Sequence, residues 1–482
     1  MSELLNINQQ TIATSELSLG HSVLMANNLE GGRPVLTANF VSPDHELPLP
    51  WPEGDWYLRQ SFVPAVSPGE TVICHTLIGG LLEYYHDIGL IPPDAEIIQV
   101  EPKTPISGYG FPATDALEIL RGEVEFSADD LKVLCSTFGG SQVNEQARDL
   151  NLQTIARAAS NLSNHKARLR QAAAEHEFTM LPGININDWE DLEPATLADW
   201  NTEHGTWLKF PTGSGGDLVI KVDGVATDEA LRESVAKLRE TVRKAFQEAQ
   251  FTVDFEDFWP SEALAPAGHP LVLEADARYL GEPLANGSTQ FLMRRIGGLS
   301  IIGHFLQITT PEGEYLGNEP FTNINPEVRR LAETQAAKVA NYNAEQHDYY
   351  GIAAIDWFLT SNGNAQPQLS VVELNSRPTA NTPPVIIAEK LGAPHFINTN
   401  IYTDRPVYTI DDFVAVVGED LAYGDPLQSG MVVPQAFRTL VRREATLASS
   451  DFKILILGKN SEHCHDIIRQ LGDSGVRFNP QK

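Results

Sequence analysis

Residues 351–384 read GIAAIDWFLTSNGNAQPQLSVVELNSRPTANTPP. Two strand-like runs, "GIAAIDWFLT" and "LSVVELNS", flank Ser361 to Gln368, whose Asn-Gly and Pro mark a turn. The midpoint between Asp356 and Glu373 falls at the middle of that turn, so a simple hairpin sets them opposite each other. Asn375, two residues on, shares their face because side chains alternate along a strand. Two carboxylates facing each other across a ladder repel, and burial worsens the repulsion unless a cation lies between them. Oxygen-only donors with an open side suit Mg²⁺, which takes one or two carboxylates and completes its octahedron with water and substrate phosphate. Two readings are open on these residues: a metal site, or an exposed strand pair with an unremarkable Asp and Glu. A bulge would break the register on which the first depends.

The rest of the chain bounds what such a hairpin belongs to. Its 482 residues, 42% hydrophobic, suffice for two or three domains at about 100 to 200 residues each. Thirty-four Lys and Arg against 64 Asp and Glu give a net charge of -30, which disfavours nucleic acid and anionic lipid as partners. The first residues lack a basic head and apolar core, and no run approaches about 18 apolar residues, so the expectation is a cytoplasmic protein without a membrane span. Cys74, Cys135 and Cys464 are few and far apart, as reduced thiols are.

Between about Glu70 and Asn144 apolar runs alternate with helical stretches ("TVICHTLIGG", "LLEYYHDIGL", "EIIQVE", "LKVLCSTFGG"), which predicts βαβ units and a parallel sheet. The segment from Val143 to Phe178 has helical periodicity, with a break near Ser163 that could cap a second helix. Strand, Gly-rich loop and strand follow in "GTWLKFPTGSGGDLVIKV", then a long helix from Thr227 and a further helix through "NPEVRRLAETQAAKVANYN". The three units expected are 1–160, 161–401 and a C-terminal α/β segment, 402–482.

The Gly-rich segment places Lys209 at a strand end before Gly213, Ser214, Gly215 and Gly216. Glycines allow successive N–H groups to face phosphate oxygens, and a lysine beside them adds a point charge. A flexible hairpin tip has the same composition. His463, Cys464 and His465 are too closely spaced on a helix to share a metal, and a helix N-terminus near Ser461 or Glu462 is the better reading. No G-x-S-x-G elbow is present, which argues against serine hydrolase chemistry.

Four segments in order resemble those of ATP-grasp enzymes over about Ala159 to Gly392: "SNHKARLRQAAAEHEF" opening a helix, "LKFPTGSGGD", "LVLEADARYLGEP", and the pair "AIDWF" and "VVELNSRP". The resemblance implies a mixed α/β chain: a Rossmann-like pre-ATP-grasp domain, then an ATP-grasp fold of two α+β subdomains, a lid at about 165–270 and a metal-site subdomain at about 271–401. It implies ATP and Mg as cofactors. Lys166 and Lys209 match the phosphate lysines, and Gly213, Ser214, Gly215 and Gly216 the loop closing over them. Glu274 and Ala277 match the hinge that reads adenine, Glu282 the ribose carboxylate, and Asp356, Glu373 and Asn375 the magnesium ligands. Arg377 matches an arginine aimed at phosphate or at the carboxylate being activated.

Two departures stand out. D-alanine-D-alanine ligases place an arginine where this chain has Ala354, which leaves Arg377, Arg294 or Arg295 to supply that charge. His165, where Asp is usual, precedes Lys166. The activity implied is a carboxylate-amine ligase, closest in layout to bacterial ligases that join amino acids, acting through an acylphosphate and releasing ADP and phosphate. Its substrates would be a small carboxylate and an amine, amino acids or a short peptide, and a homodimer is compatible with it. A small-molecule kinase and a nucleotide-binding regulatory protein are the alternatives.

Overall fold

The computed structural model describes residues 61–66, 68, 71–75, 77–100, 164–192, 204–212, 218–222, 228–248, 254–294, 298–309, 315–347, 349, 351–361, 366–437 and 450–478, with strand segments at 33–37, 40–41, 111–112, 131–136 and 153–154. Strands β1 (Arg33–Thr37), β3 (Thr71–His75), β4 (Glu96–Val100), β6 (Leu131–Ser136) and β7 (Gln153–Thr154) form a wholly parallel sheet in the order β4-β3-β1-β6-β7. The short β2 (Phe40–Val41) and β5 (Phe111–Pro112) pair separately, also in parallel. Helix α1 (Leu81–Asp87) lies between β3 and β4 in the chain, as the alternation of apolar runs predicts. The helical periodicity from Val143 is not carried through: Gln153 and Thr154 extend beside Val133 and Leu134. A parallel neighbour supplies their backbone with partners that a helix would otherwise give, so tertiary pairing overrides the local preference.

Helix α2 (Lys166–Ala172) opens the second part of the chain. Its N-cap is His165, whose Nδ1 accepts from the Arg168 amide at 3.4 Å, rather than a residue at the expected break near Ser163, which lies outside the described residues. Strands β8 (Gly183–Ile186), β9 (Thr206–Lys209), β10 (Val219–Val222) and β11 (Leu271–Ala275) make an antiparallel sheet ordered β10-β9-β11-β8. The long α3 (Asp228–Glu248) covers it, burying Leu231, Val235, Leu238 and Val242 at helical spacing against Leu208, Phe210 and Leu273.

A third, eight-stranded antiparallel sheet runs β16-β15-β12-β13-β14-β17-β19-β18. Its members are β12 (Glu282–Arg294), β13 (Gly298–Thr309), β14 (Tyr315–Pro320), β15 (Gly351–Ser361), β16 (Gln368–Asn375), β17 (His395–Thr403), β18 (Met431–Phe437) and β19 (Ser450–Gly458). Helix α4 (Pro326–His347) lays Val328, Ala332, Ala336 and Val339 on the face that carries Phe291, Ile355 and Trp357. Helix α5 (Thr382–Lys390) is the next element after β16, beyond the segment 376–381, and has prolines in its first turn. The last strands, with α6 (Ile410–Val417) and α7 (Ser461–Asp473), enclose a large core shared with α1, where Tyr84 donates to Ala422 O and Tyr85 to Pro434 O, each at 2.7 Å. No described helix is long and apolar enough to cross a membrane.

Candidate functional site

The candidate site is built on one face of three neighbouring strands. Asp356 on β15 stands opposite Glu373 on β16 and opposite Ser288 on β12. One row along, Asn375, Ala354 and Gln290 stand in line. The pairing is reached through an irregularity: from Thr360 opposite Gln368 to Trp357 opposite Val371 the register is one residue tighter, and the extra Val372 restores Asp356 to Glu373. A uniform hairpin of that tighter register would set Asp356 against Val372 and turn Glu373 to the other face.

Asn375 Nδ2 donates to Asp356 Oδ2 at 3.0 Å. The Asp356 carboxyl is pushed up to about 7, first by burial and then by the charge of Glu373, against the lowering effects of Ser288, Arg377 and Asn375. That repulsion is what a divalent cation relieves, and two carboxylates with one amide oxygen are a hard, all-oxygen donor set. Among the described residues no group of three or more His, Cys, Asp or Glu could hold a metal. With no nitrogen or sulfur donor among them, the two carboxylates and the amide suit Mg²⁺, which leaves most of its positions to water and phosphate, better than zinc.

Cations converge on these carboxylates. Lys166, at the first turn of α2, donates its Nζ to Glu373 Oε1 at 2.9 Å with only 8% of its side chain exposed. Its backbone N–H bonds Pro211 O at 2.7 Å, which ties the helix start to the end of the Lys209 segment. Lys209, on the sheet under α3, is buried and pairs with one oxygen of Glu274, while Arg170 pairs with the other. The segment after β16 is fastened at Ser376, whose N–H donates to Asn164 Oδ1 at 2.6 Å and whose hydroxyl accepts from Asn343 Nδ2 at 2.8 Å. Arg377 follows, half-buried, and its charge lowers the Asp356 carboxyl. His165 stays neutral: burial first, then His269 and nearby cations, lower its pKa to about 3. It caps α2 through its ring nitrogen, the service an Asp side chain gives.

The structure thus brings Lys166, Asp356, Glu373, Asn375 and Arg377 together, with Lys209 and Glu274 as a second cluster. The side chain of Glu274 engages lysine and arginine rather than standing free, and Ala277 opens a short 3₁₀ turn capped by Asp276, which also accepts from Trp207 Nε1 at 3.3 Å. Glu282 is exposed at the start of β12, opposite Ser361 and six residues from Ser288. Arg294 ends β12 opposite Gly298, while Gly213, Ser214, Gly215, Gly216 and Arg295 lie outside the described residues. Cys74 and Cys464 are buried free thiols, each pushed up to about 12 by burial, and α7 begins at Ser461 with Asn460 as its cap. Sequence reasoning missed Arg170, Ser288, Asn164 and Ser376. Only Arg170 carried a signal, since it lies four residues from Lys166 on one helix face.

No family model matches the chain, and no curated protein matches it in sequence. Solved structures do match. The biotin carboxylase domain of Hydrogenobacter thermophilus 2-oxoglutarate carboxylase, in complex with MgADP, ADP and bicarbonate, is 13% identical, with 92% of this chain and 90% of that one covered at a TM-score of 0.56. An ADP complex of N5-carboxyaminoimidazole ribonucleotide synthetase is 13% identical over 93% of this chain and 98% of that one, with a TM-score of 0.52. An L-amino acid ligase from Bacillus licheniformis is 12% identical over 94% and 100%, with a TM-score of 0.50. The chain has the fold these proteins share, the ATP-grasp fold preceded by a parallel pre-ATP-grasp sheet.

Proposed function

We propose that this chain is an ATP- and Mg²⁺-dependent carboxylate-amine ligase, joining a small carboxylate to an amine with release of ADP and phosphate, and that amino acids are its substrate class. The observation that carries the proposal is the Asp356/Glu373 pair with Lys166 bonded to Glu373 and the charge of Arg377 acting on Asp356. Two structurally similar proteins are described as ADP complexes, one of them with magnesium, and a third as an L-amino acid ligase, which supports the same reading.

Mg²⁺ bound at Asp356, Glu373 and Asn375 would supply charge neutralisation at phosphate oxygens. The chain's own residues do the remainder. Lys166 reaches the carboxylates from α2 and so presents its ammonium to any phosphate held there. Lys209 offers a second ammonium from the neighbouring sheet. Arg377 offers a planar donor fork suited to a carboxylate or a phosphoryl group. These are positioning and electrostatic contributions, the kind on which phosphoryl transfer depends, and no side chain need form a covalent bond to substrate.

The test is to incubate the protein with ATP, Mg²⁺ and pooled amino acids, following nucleotide products and condensed products by mass spectrometry. ADP and phosphate formed only when an amine is present, with an amide one water lighter than its parts, is the expected result. AMP and pyrophosphate, or a phosphorylated substrate accumulating whatever amine is added, would overturn it, the latter in favour of a kinase.

A further inference from the structure

Lys166 and Arg170 lie one turn apart on the same face of α2, and each reaches a different carboxylate: Lys166 takes Glu373, and Arg170 takes Glu274. Glu274 is nearly inaccessible, with 2% of its side chain exposed, and it is shared: Lys209 holds one oxygen and Arg170 the other. Neither cation has a second carboxylate partner among the described residues. One anion between two cations leaves a buried group with one net positive charge, which is costly unless a further anion completes it.

The local structure is shaped for this arrangement. Glu274 on β11 stands opposite Gly183 on β8 and Trp207 on β9, and Lys209 stands opposite Val272, so Lys209 and Glu274 are diagonal neighbours on one face. Gly183 has no side chain, and a Cβ there would come within 3.0 Å of the Arg170 guanidinium carbon and 2.5 Å of Leu273 O. Arg170 also donates from Nη1 to Leu181 O at 2.8 Å, and its Nε is buried without a partner among the described residues. A guanidinium kept in so dry a place, with one donor unused, is poor design for stability alone.

Building on the nucleotide-dependent reading above, we propose that Arg170 is a positioning residue for nucleotide phosphate, acting on Lys209 through Glu274. By taking one oxygen of the carboxylate it halves the hold of Glu274 on Lys209 and leaves the group one positive charge, which an ATP phosphate completes. Without Arg170, Lys209 and Glu274 close into a neutral pair, and the lysine is lost to the ligand.

The experiment is calorimetric titration with MgADP, which needs no substrate other than the nucleotide, on the wild type, Arg170→Met, Arg170→Gln, Glu274→Gln and the double variants. Arg170→Gln is polar but uncharged, so it keeps the test valid if the Met variant fails to fold. Expected is at least a tenfold loss of MgADP affinity in either Arg170 variant, with the KM for ATP rising more than kcat falls. In the Glu274→Gln background, where no carboxylate competes for Lys209, the same Arg170 change should cost less than threefold. Undiminished affinity in the single variants, or an equal loss in the Glu274→Gln background, overturns the inference, since a merely structural arginine would act alike in both backgrounds. A wild type that binds no MgADP instead overturns the nucleotide reading itself, and this inference with it.

Discussion

At the scale of single residues, the site holds its charges in opposed pairs, and this decides what a substitution does. Glu373 meets both an attractive partner, Lys166 at 2.9 Å, and a repulsive one, the facing Asp356. Glu373→Gln removes both interactions at once, so their effects on stability largely offset, and the melting temperature without Mg²⁺ should move by less than about 1 kcal/mol would shift it, a few degrees. Turnover should fall by 100-fold or more, because an amide cannot replace the second hard anionic donor. ADP release and melting measured in parallel check this, and near-normal turnover would remove the hairpin from the chemistry. Most of these residues were legible in the sequence because their types are chemically unusual at strand ends. Arg170 offered only its spacing from Lys166, which a solvated arginine on an amphipathic helix would share, and the packing of α2 on Gly183 is what makes it an interior cation.

At the scale of elements, β12 presents different chemistry on its two faces. Ser288 bonds Asp356 and Gln290 donates to Thr379 and Thr382 on one face, while Thr289 between them points to the other face. There Trp357 Nε1 donates to Thr289 Oγ1 at 2.9 Å, and the hydroxyl bonds His304 Nδ1 at 3.0 Å, with Glu333 3.5 Å from the other ring nitrogen. Burial, with a smaller effect of Arg329, lowers the His304 pKa to about 4, and burial raises that of Glu333, so at neutral pH this is a contact with a neutral imidazole. The unfolded chain takes up the His304 proton near pH 6.5 and the folded one near 4. The contribution is therefore complete above about pH 6.5 and is lost progressively as the pH falls toward 4. Replacing His304 with Gln, which does not titrate, should flatten the fall in melting temperature between pH 7 and pH 5. An unchanged pH slope would show that His304 is not the group responsible. Helix and strand identities here were readable from periodicity, but the helical pattern around Gln153 yielded to strand pairing, because a backbone beside a parallel edge has a better source of partners than its own turn.

At the scale of the whole molecule, the hairpin that carries Asp356 and Glu373 and the C-terminal strands belong to one sheet. Residues His395 to Thr403 pair with Gly458 to Ser450 along their whole length, and the run Phe452 to Leu457 is buried on both faces. Deleting residues 431–482 would strip β17 of β19, one of its two neighbours, and open the core that α1 shares with Phe437, Phe452 and Ile454. The shortened chain should lose cooperative melting and aggregate through the bared edge; a sharp transition near that of the full chain would contradict this. The sequence by itself determined the order of the elements, the parallel character of the first sheet and which two carboxylates are the candidates to pair, because these rest on local periodicity and on residue types that are costly to place without a purpose. Tertiary structure alone decided the rest. Sheet order joins strands far apart in sequence, and no local pattern encodes which edges meet. The bulge at Val372 has no signature in the local pattern, and it is that bulge, rather than a uniform hairpin, that sets Glu373 opposite Asp356. The sharing of Glu274 between Lys209 and Arg170 likewise required three elements to pack, since the charge state of a buried group is fixed by its neighbours in space and not by its neighbours in the chain.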